Sequence, residues 1–481
     1  MSEQRSRRMV WVGTLVLLAA CGSEPPSGGG SADEPLSPLP QHGPVASSPQ
    51  GMVVTGSPHA TEAGRRMLAL GGNAVDAAVA AAFALAVAEP TQTGLGGRTQ
   101  ALVSLADGTA HGVDGTTQVP AVYDPATAPT GEHGHGAVGI PGTVAALTRI
   151  LEEHGTLPLA RVLEPARAWA GDGMALTEGE AGRLAGLIPE LDPDSELARI
   201  LGARGGEPLE PGARLVQPEL ARVLEALARD GRDAFNRGEI AVRMAEDMAA
   251  NGGFVTLEDL ATYRAEDAEV GHGRYRGLDL VGSYLPASGV TVIEILQILD
   301  RLSLPAEEGP WAATLAEALL AGFEDREIAE SWPSSRAVAW ITSDTLADRR
   351  AREIVARLGA VGVRVAGSVD GHSPVAGARR IAGALPRASG AVDPGVEPAF
   401  TTHLSVADTF GNVAAVTQSL GPTGGARVVT PGLGFLYAST LGGYLSGGEP
   451  GYRPWSSQAP LLVLVEGRPR LVLGGAGARR I

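Results

Sequence analysis

Thr401-Thr402-His403-Leu404-Ser405-Val406-Ala407-Asp408 follows a stretch, 360–398, that is rich in Gly, Pro and Ser and has weak periodicity. Polar and apolar residues alternate from Thr402 to Asp408 and again from Val413 to Gln418, across the turn Thr409-Phe410-Gly411-Asn412. That pattern predicts a β-hairpin. Were the Phe400-Thr401 bond cut, Thr401 would become a chain terminus. Freed there, Thr401 would carry an α-amine with a pKa of about 7.7–8.0, suited to act as general base. The amine sits on the same residue as the hydroxyl it must activate, so no separate base is needed. Before cutting, that hydroxyl can attack the preceding carbonyl in an N-to-O acyl shift. Taken alone, Thr401 is better read as an ordinary strand residue, because threonine is common in strands.

Outward from this segment the chain predicts alternating helices and strands. Met52 to Thr55 reads as a strand, and Ser57-Pro58 starts a helix to about Leu70. Gly71-Gly72 stops it, and a second helix from Asn73 to Glu89, apolar on every face and ended by Pro90, is expected to be a buried core helix. Further helices are expected at Thr143–Glu153, Leu159–Gly171, Leu215–Asp230, Glu239–Asn251, Val290–Leu302 and Trp311–Glu330. Tyr275–Ser283 reads as a strand, Leu461–Val465 and Arg470–Leu473 as a late hairpin around Glu466-Gly467-Arg468, and 360–398 as a mobile loop. Buried helices with antiparallel hairpins imply an α+β body with sheets packed between helices. No internal repeat is evident.

The Thr401 segment resembles the self-cleavage site of the γ-glutamyltransferases (γ-glutamyltranspeptidases). The resemblance extends through Gly51-Met52-Val53, Gly71-Gly72-Asn73-Ala74-Val75-Asp76-Ala77-Ala78, Glu89-Pro90 and Gly94-Leu95-Gly96-Gly97. It continues through Pro141-Gly142-Thr143, Gly253-Phe254-Val255-Thr256-Leu257-Glu258-Asp259-Leu260, Tyr275-Arg276-Gly277, Arg453-Pro454-Trp455-Ser456-Ser457 and Leu473-Gly474. It implies an N-terminal-nucleophile αββα sandwich, two stacked antiparallel sheets between helical layers. The precursor would cleave itself at Phe400-Thr401 and then hydrolyse or transfer γ-glutamyl or related acyl groups through an ester on Thr401. The implied divisions are a large-subunit region, 51–400, and a small-subunit region, 401–481, apparently truncated, which stay associated after cleavage. The implied partner is a small-molecule amide, with no cofactor and no metal.

Residue by residue, the resemblance makes Ser419 the hydroxyl that supports the nucleophile. It makes Ser456 and Ser457 the pair that binds the donor α-carboxylate, and Gly477 and Ala478 the main-chain donors of the oxyanion hole. Thr116 falls where the family has the arginine that grips that carboxylate. Gly421, Thr440 and Gly443 fall where asparagine, glutamine and aspartate read the α-amine. Each lost charge-assisted hydrogen bond costs about 1.5–3 kcal/mol, so the acyl-transfer apparatus is kept while the glutamyl reader is altered. Arg98 and Arg427 are candidate replacement anchors, with solvated surface arginines as the alternative. An acylase acting on other amides, such as cephalosporin or glutaryl compounds, and a catalytically inactive binding lipoprotein are the competing readings.

Other features bound the function. The chain has 481 residues, a formal net charge of -16 and no basic run, which argues against nucleic-acid binding. Arg5, Arg7 and Arg8 precede an apolar run from Met9 to Ala20, the pattern of an export signal too short to span a bilayer comfortably. Leu18-Ala19-Ala20-Cys21 resembles a lipobox, with 1–21 as the signal peptide, so a periplasmic or cell-surface lipoprotein anchored through Cys21 is expected. That cysteine is the only one in the chain, which rules out an intrachain disulfide. Residues 22–50 read as a flexible linker. His133-Gly134-His135 lacks further ligands nearby and reads as solvated. Gly94-Leu95-Gly96-Gly97 lacks the Gly-Lys-Ser/Thr of a phosphate loop and reads as a close backbone approach. His403 reads as a plain strand residue.

Overall fold

The computed structural model describes residues 46–126, 128, 130–202, 206–303, 308–359, 362–366, 400–442 and 448–477. The signal segment, Cys21, most of the expected linker, nearly all of the expected 360–398 loop, Gly443 and Ala478 lie outside the described residues.

Two antiparallel sheets form the centre. Their strands are β1 (Met52–Val54), β2 (Arg98–Ser104), β3 (Ala110–Gly115), β4 (Glu266–Ala268) and β5 (Val270–Tyr275), then β6 (Leu278–Ser283), β7 (Phe400–Ala407), β8 (Val413–Gly421), β9 (Leu461–Val465) and β10 (Arg468–Leu473). One sheet runs β1-β7-β8-β2-β3-β4 and the other β10-β9-β6-β5. Side chains alternate between faces along each strand, and the contacts follow that rule. Leu102, Val413 and Ala415 of the larger sheet pack on Val281 and Leu462 of the smaller one. Their neighbours Ala101, Val103, Ala414 and Val416 point the other way, into the main helical core. On the outer face of the smaller sheet, Leu280, Leu461 and Val463 pack on Ile293 of the helix Gly289–Asp300. The layers are therefore helix, sheet, sheet, helix, the αββα arrangement.

The helix Ala74–Ala88 lies in the core shared with the larger sheet, and every one of its residues is buried. Its start is fixed by a capping box: the Asn73 side chain accepts from the Val75 and Asp76 amides, and Asp76 accepts from the Asn73 amide. Asp76 also accepts from Thr156 and Leu157, which ties the neighbouring turn to the cap. Losing such a cap costs about 0.5–2 kcal/mol. On the smaller sheet, a Cβ on Gly273 would stand 2.2 Å from Ile293 Cγ2, so the covering helix approaches only because that residue is glycine.

The sheet order has a consequence for the cleavage implied at Phe400-Thr401. Strands β7 and β8 are hydrogen-bonded between β1 and β2, while β9 pairs with β6. Cutting before Thr401 leaves both halves woven into the same two sheets.

Several boundaries differ from the sequence reading. The expected strand Tyr275–Ser283 is a hairpin, β5 and β6, turning at Arg276 and Gly277, both with positive φ. Leu215 pairs in a short strand with Met174, and the helix after it begins at Pro218. Leu302 likewise leaves the preceding helix to pair with Val365, so that part of the expected loop is strand. Strands β2 and β3 and the helices Ser334–Ile341 and Asp344–Leu358 were not anticipated.

Candidate active site

Thr401 lies at a break in the strand register. Phe400 pairs with Gly421 and Thr401 with Ser419, so Leu420 is the extra residue of a β-bulge. The backbone of Leu420 is satisfied elsewhere: its N–H donates to Gln92 and its carbonyl accepts from Ser439. The bulge brings two hydroxyls together. Thr401 Oγ1 donates to Ser419 Oγ at 3.1 Å, and the Gly421 amide donates to the same oxygen at 3.0 Å. Both residues are buried, Thr401 being 3% exposed. Bulk water is thereby kept from the hydroxyl in the uncut chain. Beside them, a Cβ on Gly96 would stand 2.5 Å from the Leu436 carbonyl and one on Gly97 3.0 Å from that of Ser419. The glycine run is a close backbone approach at the site, as its composition suggested.

Alternation along β7 separates neighbouring roles. Thr401, His403 and Ser405 face the smaller sheet, whereas Thr402 faces the buried Glu89. Burial pushes the Glu89 carboxyl up, while the Thr402 hydroxyl and the charge of Arg183 oppose that shift.

His403 has more structure around it than a plain strand residue. Nδ1 lies 2.8 Å from Thr417 Oγ1 and Nε2 lies 3.0 Å from Ser405 Oγ, which itself donates to the Val472 carbonyl. The carbonyl can only accept, so the network assigns the ring proton to Nε2, and Nδ1 accepts from Thr417. Burial pushes this imidazole down to about 4, so it is neutral near pH 7. Gly474 presses on the ring: a Cβ there would stand 2.1 Å from His403 Cε1. The neutral ring thus joins β7, β8 and the exit of β10, three residues before Gly477.

Across the same face, Ser419 pairs with Arg98, and Thr417 with Gln100. Arg98 is 2% exposed, so it is not a solvated surface arginine. Gln100 Nε2 donates to Asp114 Oδ1 at 2.5 Å and to Thr116 Oγ1 at 2.6 Å. Thr116 also donates its amide to Asp114 and accepts from Tyr263 at its carbonyl. It lies three strands from β7, about 14 Å away at normal strand spacing. Thr116 is thus held in place by Gln100, Asp114 and Tyr263. Thr440 is similarly engaged, its hydroxyl bonding to Thr117. Arg427 pairs with Glu190 at 2.7 Å instead of standing in solvent.

The Ser456–Ser457 turn reaches the site through Gln458, whose Nε2 donates to the Thr417 carbonyl at 2.8 Å. Behind it, Arg326 Nη1 donates to Ser288 Oγ at 2.6 Å, and that hydroxyl donates to the Ser456 carbonyl at 2.6 Å. The Arg326 guanidinium lies 3.9 Å from the centre of the Trp455 ring. Sequence reasoning did not single out Arg326, Gln100 or Gln458. For Gln100 and Gln458 the only local signal was their closeness to the quoted motifs; Arg326 lies near none of them. His135, expected to be solvated, lies 3.2 Å from Asp247. Among the described residues no cluster of three or more His, Cys, Asp or Glu could hold a metal ion.

Comparisons with known proteins agree with this architecture. The family profile described as Gamma-glutamyltranspeptidase matches residues 60–481. The chain is 35% identical over 463 residues to "Acylase ACY 1 proenzyme" of Pseudomonas sp. (strain SE83), covering 91% of this chain and 78% of that protein. It is 33% identical over 464 residues to "Glutathione hydrolase proenzyme" of Escherichia coli (strain K12), covering 90% and 76%. The solved cephalosporin acylase from Bacillus halodurans superposes with a TM-score of 0.73 at 25% identity, over 92% of this chain and 80% of that one. With the layer order, the strand register and the match across most of its length in agreement, the chain belongs to the gamma-glutamyltranspeptidase family of self-processing N-terminal nucleophile enzymes.

Proposed function

We propose that Thr401 is both the self-cleavage residue and the nucleophile of an enzyme that cleaves or transfers γ-glutamyl or related acyl groups. The observation that carries this reading is the buried Thr401–Ser419 hydroxyl contact at the strand bulge. In the precursor, Thr401 Oγ attacks the Phe400 carbonyl carbon. The C–N bond breaks as the C–O bond forms, the proton passes to the leaving nitrogen, and water then hydrolyses the ester. The freed amine next takes the Thr401 hydroxyl proton as Oγ attacks an amide substrate. Gly477 and Ala478 supply amide donors to the developing oxyanion. Collapse expels the substrate amine with that proton, leaving an acyl ester for water or an acceptor amine. Ser419 holds the hydroxyl during both reactions, and the turn at Ser456 and Ser457 receives the far end of the acyl group.

The acylase reading keeps one specific support: Thr116 has its amide, carbonyl and hydroxyl all engaged by Asp114, Tyr263 and Gln100, so it does not replace a carboxylate-gripping arginine. "Acylase ACY 1 proenzyme" and "Glutathione hydrolase proenzyme" are both names borne by relatives. The purified protein is expected to give two chains on a denaturing gel, and Thr401→Ala a single inactive chain. A split Thr401→Ala protein, or one that still turns over acyl anilides, overturns the assignment.

The positive flank, apolar run and Cys21 support export and lipid anchoring. Cys21→Ala is expected to abolish incorporation of labelled fatty acid, and undiminished labelling contradicts the anchor.

A further inference from the structure

On the face of the larger sheet opposite to the nucleophile hydroxyl, two buried acids share one cation. Glu89 ends the helix Ala74–Ala88 and is 3% exposed, and Glu180, on the helix Glu178–Leu187, is fully buried. Arg183 Nη2 lies 2.8 Å from Glu180 Oε2 and 3.8 Å from Glu89 Oε1. Glu180 also accepts from the amide and the hydroxyl of Thr91, at 3.1 and 3.0 Å. Glu89 is less well satisfied: the Thr402 hydroxyl donates to it, and its buried Oε2 has no hydrogen-bond partner among the described residues. A Cβ on Gly56 would stand 2.7 Å from Glu89 Oε1 and 3.3 Å from Thr402 Oγ1, so a glycine lets the turn before the helix Pro58–Ala69 close over this contact. Glu180 and Arg183 are the charged groups that face Glu89, while Gly56, Ser57, Thr91 and Thr402 contribute only hydroxyls and backbone.

The same helix end holds both strands at the cleavage position. Gln92 and Thr93 donate their amides to the Glu89 carbonyl, and the Gln92 carbonyl accepts from Leu420, the extra residue of the bulge opposite Thr401. The Glu89 side chain holds Thr402 on the other strand. Burial pushes both acids up, so in the uncut chain one guanidinium faces two carboxyls, and Glu89 is the one in excess. Scission before Thr401 adds a second cation, because the freed amine, with an ordinary pKa of about 7.7–8.0, is an ammonium at lower pH. Successive Cα atoms are about 3.8 Å apart, so the new charge arises on the order of 4–7 Å from a carboxyl that touches Thr402. A buried ammonium is costly without a counter-ion.

We infer that Glu89 is a positioning residue with two successive tasks: in the uncut chain it holds Thr402, and through it the bond before Thr401, and in the cut enzyme it is the counter-ion of the Thr401 ammonium. Once the C–N bond is broken, the carboxyl proton of Glu89 passes to the freed amine, which leaves a carboxylate beside an ammonium with the total charge unchanged. In each later turnover the neutral amine takes the Thr401 hydroxyl proton as Oγ attacks, and the Glu89 carboxylate stabilises the ammonium that forms. The carboxylate freed on Phe400 is the rival counter-ion. The inference rests on the proposed role of Thr401 as nucleophile.

The test follows self-cleavage on gels and the pH dependence of kcat/KM on γ-glutamyl or glutaryl p-nitroanilide, whichever the native enzyme turns over faster. The acidic limb of that profile reports the amine of the free enzyme. Glu89→Gln keeps a hydrogen-bond acceptor for Thr402 and loses the charge. It is expected to cleave itself within about threefold of the native rate, and its acidic limb to move down by about one pH unit or more, as the loss of a nearby opposite charge provides. Glu89→Met also loses the acceptor and is expected to cleave about tenfold more slowly or worse. Merely structural damage lowers the plateau and leaves the limb in place. An unmoved limb in Glu89→Gln assigns the counter-ion to Phe400 or to solvent and overturns the inference, as does a folded Glu89→Gln protein that stays uncut or a Glu89→Met protein cut at the native rate. Should Glu89→Gln fail to fold, Glu89→Asp carries the test: its retracted carboxylate is expected to lower the limb by a smaller step, and an unmoved limb overturns the inference. A Thr401→Ala protein that still self-cleaves defeats the underlying reading; a Thr401-dependent enzyme whose limb ignores Glu89 defeats only this step.

Discussion

The two ends of the space between the sheets are built from the same strands yet do opposite things. At one end Leu102, Val413 and Ala415 close on Val281 and Leu462 as dry core. A few residues along the same faces, Arg98, Gln100, Thr417, Ser419 and Thr401 are equally buried but polar. Alternation fixes which residues share the face; their chemistry fixes whether it becomes core or site. The apolar end is held by burial. At the polar end, directed hydrogen bonds connect Thr401 to Ser419, His403 to Thr417, and Gln458 to Thr417. Such a network is specific only while its members are satisfied, so the two ends should fail differently when altered.

The largest change in stability is expected at the apolar end. Leu462 is fully buried, and Leu462→Ala should cost about 2–5 kcal/mol in denaturant unfolding. Comparable stability in the variant would break the contrast. A smaller effect is expected from Ser419→Ala, which removes the acceptor of both the Thr401 hydroxyl and the Gly421 amide. An unsatisfied group costs about 1–3 kcal/mol, so self-cleavage followed on gels should slow by about tenfold or more. Cleavage at the native rate would show that Ser419 is not needed to hold the nucleophile. The smallest and most selective effect belongs to His403. Its folded-state pKa is lowered from 6.5 to about 4, so its contribution is present above 6.5 and is lost as pH falls through about 4. The buried Glu89, Glu180 and Glu294 are shifted up and act in the opposite sense. The His403 contribution is therefore read as the difference between native protein and His403→Gln across that pH window. A constant difference would mean that the ring is not held neutral.

The same contrast explains what was legible in the sequence. The β7–β8 hairpin shows because Leu404, Val406, Ala414 and Val416 recur at every second position. The helix Ala74–Ala88 shows because it is apolar throughout and begins at Asn73, whose cap is visible in the residues themselves. Strand β2 was missed because its first half, Arg98-Thr99-Gln100, is polar where a buried strand is expected to be apolar. Arg98 and Gln100 share the face of Thr401 and Ser419, while Thr99 points the other way and bonds to Thr143. Arg326 was hidden for another reason. On the helix Glu308–Ala329 it reads as one more surface arginine, and only the tertiary fold places it over Trp455 and behind Ser288. Alternation did offer a signal for His403, since it shares a face with Thr401. What the ring touches depends on β10, which returns from much later in the chain.

The account depends on Thr401 becoming a chain terminus, and intact-mass analysis of catalytically active protein reads that directly. The expected result is a small chain whose mass begins at Thr401, with the large chain ending at Phe400. Full activity in protein whose Phe400-Thr401 bond is entirely unbroken would contradict it.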